Sequence, residues 1–323
     1  MLMKKHPIAT TAVALTTLVG LPYLGISKYY FDHAFLRKNK MPKGKAGGQK
    51  EDSRQKLQMD EYEQKTEEGT AWFKTKPYEE IWLESLDGLK LHGYFLAAPG
   101  AKRVMLCAHG YRADALREFS KFAGFFYKNQ CSMLFVDQRS HGESEGEYIT
   151  FGVREQYDMD VWCDYLANNM GIDLPIYLFG ISMGGTTVLN CANHTLSGNV
   201  RGIIADCAFT SPFAQVEHVA KAIFKVPVKP FVYLTNLFCK TKAGFSLFQE
   251  DTLKKLKASD YPILFIHGEK DTFVPTSMSY ANFAVCSSEK KLLTIDGAAH
   301  ATSYIVNPVM YQESLLQFFA END

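Results

Sequence analysis

The apolar run Pro175-Ile176-Tyr177-Leu178-Phe179 passes without interruption into Gly180-Ile181-Ser182-Met183-Gly184-Gly185. A buried strand that ends in a Gly-flanked Ser and continues as a helix demands a very tight turn. The Ser must take a strained backbone conformation, and only small residues two positions to either side avoid a clash. The strain lifts the hydroxyl clear of the sheet, where a base and a carbonyl carbon can both reach it. Gly and Ser are common, so the five-residue pattern also fits an ordinary strand-to-helix turn. Its weight comes from what surrounds it.

From Tyr78 onward, apolar runs alternate with helical patterns, which predicts an α/β domain with a largely parallel sheet. Residues 80–84 and 89–95 alternate around Asp87-Gly88 and read as an antiparallel hairpin at the sheet edge. Further strands are predicted at 104–108, 133–136, 203–205, 263–266 and 292–295, and helices at about 114–128, 154–169 and 308–320. The count is eight strands flanked by helices, with Ser182 after the fifth. An insertion over residues 209–258 follows the sixth strand. It carries Phe209, Phe213, Phe224, Phe231, Tyr233, Phe238, Phe245 and Phe248 among lysines. Most of these rings must pack the insertion onto the neighbouring loops; any remainder would line an apolar acyl or aryl pocket.

Five strings carry a family resemblance: His109-Gly110-Tyr111, Asp137-Gln138-Arg139-Ser140-His141-Gly142-Glu143-Ser144, the Gly180–Gly185 turn, His267-Gly268-Glu269-Lys270-Asp271 and Gly297-Ala298-Ala299-His300. Over residues 78–320 the chain resembles the α/β-hydrolase superfamily. Within it, the chain is similar to the bacterial serine-aminopeptidase, lysophospholipase and cinnamoyl-ester-hydrolase-like group. The resemblance implies a helical cap in the insertion after strand six. It also implies a structural role for Asp137 and Arg139, tying down loops.

A Ser hydroxyl needs a base to take its proton during attack. Among nine His, His300 is the candidate, because its string follows the last strand beside the other strand ends. His218 and His194 suit surface or capping roles, and His109 and His267 structural ones. Asp271, after the seventh strand, gives the order Ser, Asp, His expected of this fold and would hold the imidazole in one tautomer. Asp206 at the end of strand six and Glu269 are the rival carboxylates. Two backbone N–H groups are expected to face the developing oxyanion, those of Met183 and Tyr111, each worth roughly 3 kcal/mol. Arg112 beside them is expected to be a solvated charge. No metal or organic cofactor is implied.

The 35 basic and 35 acidic residues balance, so no global field favours nucleic acid. Seven Cys without a C-x-x-C pair argue against a disulfide framework or zinc site. Residues 7–27 hold no charge, and as a helix they would span about 30 Å. Residues 1–30 are therefore expected to be a single-pass membrane anchor, with a cleaved signal peptide of a secreted protein as the alternative. The cluster Lys28, Arg37, Lys38, Lys40, Lys43 and Lys45 predicts a cytoplasmic catalytic domain. Residues 31–70 read as a charged linker with a short helix around 53–66, and 71–323 as the hydrolase domain.

These expectations converge on a serine hydrolase that cleaves esters of apolar acyl or aryl groups through an acyl-enzyme. The alternatives are a peptidase acting on short peptides and a membrane-anchored binding protein with a degenerate site. A peptidase of this kind needs acidic residues for the substrate amine, and the cap offers only Glu217, Glu250 and Asp251.

Overall fold

The computed structural model describes residues 7–39, 53–223 and 227–323. Two helices precede the sheet, α1 (Pro7–Ala34) and α2 (Ser53–Lys74). A hairpin follows, β1 (Glu79–Glu84) and β2 (Lys90–Leu96). Strands and helices then alternate through β3 (Arg103–Ala108), α3 (Ala115–Lys128), β4 (Cys131–Asp137) and α4 (Glu155–Asp164). They continue through β5 (Ile176–Ile181), α5 (Met183–Asn190) and β6 (Val200–Asp206). The insertion holds α6 (Pro212–Ile223), α7 (Val228–Phe238) and α8 (Thr252–Leu256). After it come β7 (Ile263–Gly268), α9 (Thr276–Val285), β8 (Lys290–Ile295), α10 (Ser303–Val306) and α11 (Pro308–Asn322).

The strands form one sheet in the order β1-β2-β4-β3-β5-β6-β7-β8, the eight-stranded architecture expected. Pairing is antiparallel at β1–β2 and β2–β4 and parallel from β4 to β8. Strands β3, β4, β5 and β7 are buried at every position. Helices cover both faces of the sheet there, which is why these strands read as unbroken apolar runs rather than as alternating ones. The register pairs Ala108 with Gly180 and Ile181 with Asp206, so the carboxyl ends of β3, β5 and β6 lie level. Loops leaving that edge of a parallel sheet can share one site. One expected helix is divided: α4 gives way to a π-helical turn over Tyr165–Asn169.

The N-terminal third differs most from expectation. Among the described residues no helix is long and apolar enough to cross a membrane. The C-terminal part of α1 is instead engaged with the cap. Tyr23 Oη donates to Pro227 O at 3.2 Å and Ser27 Oγ to Phe231 O at 3.2 Å. Tyr30, Phe31, Ala34 and Phe35 are buried in one cluster with Phe151, Phe231 and Phe245.

The linker reading is corrected over 53–70. There α2 packs along α3 and buries Gln58, Tyr62, Thr66 and Phe73. Successive buried residues recur about once per turn, so a single narrow stripe meets the domain while the rest of the helix stays charged and solvated.

Candidate active site

The turn after β5 has the expected strain: Ser182 sits at φ +57° and ψ −115°. A Cβ at Gly180 would lie 2.1 Å from Gly184 O, and one at Gly184 only 1.8 Å from Ala108 O. Glycine is therefore required on both sides by backbone packing. Ser182 N–H donates to Asp206 O at 2.8 Å, which ties the turn to the end of β6.

Chain topology brings Ser182, His300 and Asp271 together from the ends of β5, β8 and β7. His300 Nε2 lies 2.9 Å from Ser182 Oγ, and His300 Nδ1 lies 2.7 Å from Asp271 Oδ2. The second carboxylate oxygen, Oδ1, accepts the N–H groups of Phe273 at 2.9 Å and Val274 at 2.8 Å. His267 Nε2 stands 2.9 Å from Val274 O and 3.2 Å from Asp271 Oδ2. Since a carbonyl only accepts, that nitrogen carries a proton and adds a donor to the carboxylate. Burial alone would push the Asp271 carboxyl up, but His300 and His267 outweigh it and hold it well below the usual range. Burial pushes the His300 imidazole down, and the Asp271 carboxylate overcomes this to hold it above its ordinary value.

Neither rival carboxylate takes this position. Asp206 accepts from Tyr311 Oη at 3.0 Å and is pushed up by burial, while Glu269 accepts from Thr294 Oγ1 at 2.9 Å. The other His also have separate duties. His109 Nε2 receives the Gln138 N–H, His194 pairs with Asp160, and His218 meets Thr272 O. Asp137 receives the N–H groups of Ala115 and Glu143 and meets His92 Nδ1, and Arg139 pairs with Asp87 and Asp158. Both tie loops down. Among the described residues, two groups of possible metal donors have their ligand atoms within 4.8 Å of one another, one of them Cys207, Asp271 and His300. In the other, Asp160, Cys191 and His194, the Lys255 ammonium stands 3.3 Å from His194 Nε2, which opposes a cation there.

Among the described residues, Ser182 borders two cavities. One, the more closed of the two, is apolar and about 40 Å³, lined by residues that include Tyr30, Tyr111, Ser182, Met183, Phe209 and Val219. The other is an open cleft of about 400 Å³, lined by residues that include Met59, Tyr62, Arg112, Ser182 and His300. Tyr111 and Met183, the two residues whose N–H groups are expected to face an oxyanion, both border the closed cavity. The loop before Tyr111 is pinned by Glu118, whose Oε2 accepts the Gly110 N–H at 3.2 Å.

The sequence reading missed three contributors to this site. Arg112 is not a solvated charge. Its guanidinium donates to His33 O and Leu36 O at 2.9 Å and to Arg37 O at 3.2 Å, gripping the end of α1. Tyr30 and Ala34 of α1 and Met59 and Tyr62 of α2 line the cavities, although both segments were assigned outside the hydrolase domain. The turn-by-turn recurrence of Gln58, Tyr62 and Thr66 was the available signal for α2; nothing local marks Tyr30 or Ala34. Of the cap aromatics, Phe209 lines the closed cavity, whereas Phe248 packs against both Phe213 and Tyr233. Phe231 and Phe238 pack on Tyr30 and Phe31 of α1, Phe245 packs on Phe35 just past its end, and Phe224 lies outside the described residues.

A family profile described as serine aminopeptidase, S33, matches residues 99–236. Protein YqkD of Bacillus subtilis (strain 168) is 26% identical over 236 residues, 73% of this chain and 77% of that protein. The α/β-hydrolase domain-containing protein WAV2 of Arabidopsis thaliana is 25% identical over 257 residues, 75% and 78% of the two chains. The solved esterase PF2001 of Pyrococcus furiosus is similar in fold, with a TM-score of 0.61 and 21% identity, covering 77% of this chain and 92% of that one. The chain has the α/β-hydrolase fold, and over residues 99–236 it is similar to the serine aminopeptidase, S33, family.

Proposed function

We propose that this protein is a serine hydrolase that cleaves carboxylic esters of apolar acyl groups through an acyl-enzyme. The observation that carries the reading is the continuous contact chain from Ser182 Oγ through both nitrogens of His300 to the ionised Asp271. In this mechanism Ser182 Oγ attacks the ester carbonyl carbon while His300 Nε2 takes its proton. The tetrahedral oxyanion is met by the N–H groups of Met183 and Tyr111. His300 then gives the proton to the departing alkoxide oxygen, leaving an acyl-Ser182 ester. Water repeats the sequence with His300 as base, releasing the acid and restoring Ser182.

The family match favours a second reading, an aminopeptidase acting on short peptides. Against it, the carboxylates of the open cleft are already engaged: Glu63 pairs with Arg117 at 2.7 Å and Glu118 with Lys121 at 3.3 Å. A substrate ammonium would have to compete with these cations, so ester cleavage is favoured.

A fluorophosphonate probe tests the mechanism. Wild type is expected to label, and Ser182→Ala to lose both labelling and about 10⁵-fold or more of the ester turnover. Equal labelling of the two would remove the nucleophile assignment. A panel of p-nitrophenyl esters and aminoacyl amidomethylcoumarins separates the two substrate classes, and preference for the amides would overturn ester cleavage. Membrane association through residues 7–22, with the catalytic domain on the cytoplasmic side, belongs to the same proposal. Carbonate extraction and a topology reporter after Asp323 test it; a freely soluble chain or an exterior reporter would exclude it.

A further inference from the structure

We infer that the closed cavity is an acyl site for short aliphatic acyl groups, and that Tyr30 and Ala34 of α1 set its length limit. The inference rests on the ester-hydrolase reading and assigns the two sides of a substrate to the two cavities.

The assignment follows from where the reacting groups lie. Met183, whose N–H would meet the oxyanion, borders the closed cavity and not the cleft, while Tyr111 borders both, so the acyl carbonyl sits at the mouth of the closed cavity, where the two join. His300, which must protonate the leaving oxygen, borders the open cleft and not the closed cavity. The alkoxide therefore departs through the cleft, and the acyl chain points into the closed cavity. Apolar cavities of about 150 Å³ are large enough to take benzene. The volume here is about 40 Å³, which excludes an aryl group and leaves room for a chain of few carbons.

One wall is built by a helix that precedes the sheet in sequence. Tyr30 and Ala34 lie one turn apart on α1 and are 4% and 3% exposed, so both are sealed against the cavity and the cap. Their position is registered to the reaction centre by the oxyanion loop itself. Tyr111 Oη donates to Ala34 O at 2.7 Å, and the Arg112 guanidinium takes three more carbonyls at the end of α1. The residue whose N–H faces the oxyanion thus also fixes the pocket wall. Tyr30 is further held by an edge contact with Phe231 of the cap, ring centres 5.2 Å apart.

The test is kcat/KM of the full chain for p-nitrophenyl acetate, butyrate and octanoate, in wild type, Tyr30→Ala and Ala34→Leu. Ratios between substrates on one preparation cancel the fraction of folded enzyme, so a poorly folding variant still reports. Wild type is expected to lose about tenfold or more from butyrate to octanoate, a methylene being worth about tenfold or more in a fitted apolar pocket. Tyr30→Ala is expected to raise the octanoate/acetate ratio about tenfold, and Ala34→Leu to lower the butyrate/acetate ratio about fivefold. Wild-type preference for octanoate, or both variants within about twofold of the wild-type ratios, would overturn the inference while leaving ester hydrolysis intact. Absence of cleavage of every ester by wild type would instead sink the ester reading, and this assignment with it.

Discussion

Tyr62 Oη lies 2.5 Å from Glu118 Oε1, and the other oxygen of that carboxylate holds the N–H of Gly110, one residue before Tyr111. Helix α2 thereby reaches the loop before Tyr111 through a buried side chain, Glu118. Burial favours the neutral form of Glu118, yet Lys121 and the Tyr62 hydroxyl outweigh it and hold the carboxyl below its usual range. Tyr62→Phe removes one charge-assisted bond from a buried acceptor. The expected cost is about 1–3 kcal/mol of stability by urea unfolding, with kcat reduced about threefold to tenfold and KM little changed. An unchanged kcat would mean that the loop keeps its geometry without α2.

Gln58 performs the matching task at the base. Its Nε2 donates to Gly297 O at 2.8 Å, and its Oε1 accepts from Ala299 N at 3.1 Å and Thr302 Oγ1 at 2.8 Å. One side chain thus spans both flanks of His300. Gln58→Ala leaves three polar groups without that partner and is expected to destabilise by about 1–3 kcal/mol. Ester turnover should fall through kcat more than through KM, because the base loosens while the acyl cavity is untouched. A change confined to KM would contradict this role.

The pH profile tests the His300–Asp271 pair. Catalysis needs neutral His300, and its pKa is raised, so kcat/KM should fall with acid at a pH above the ordinary His value of about 6.5. In Asp271→Asn the carboxylate that raises it is gone and burial, which lowers it, remains. The acid limb should therefore move to lower pH while kcat drops by about 10⁴-fold. A limb that stays in place would show that His300 is not the titrating base.

Gly184→Ala introduces a methyl 1.8 Å from Ala108 O, a backbone atom that cannot swing aside. The expected loss exceeds about 4 kcal/mol, in the range where a mechanism such as overpacking of a core dominates. The variant should appear in the insoluble fraction. A soluble protein with an unchanged melting midpoint would mean that β3 and α5 can separate.

The amino-acid sequence by itself determined the sheet, the strained turn at Ser182 and the three residues that meet there. Those features are written locally: unbroken apolar runs mark strands covered on both faces, and Gly180 and Gly184 stand where no larger residue can fit. Chain order then placed Asp271 and His300 at neighbouring strand ends, because a parallel sheet directs the loops at its carboxyl edge to one side. Only the tertiary structure decided what α1 and α2 do. An uncharged stretch looks the same whether its apolar side chains meet lipid or a cap, and a charged helix hides a buried stripe of one residue per turn. The contacts that hold the two helices to the domain, Ala34 with Tyr111 and Tyr62 with Glu118, join residues more than fifty positions apart. Pairings at that separation leave no local periodicity to read, and they hold one wall of the apolar cavity beside Ser182 and the loop before Tyr111.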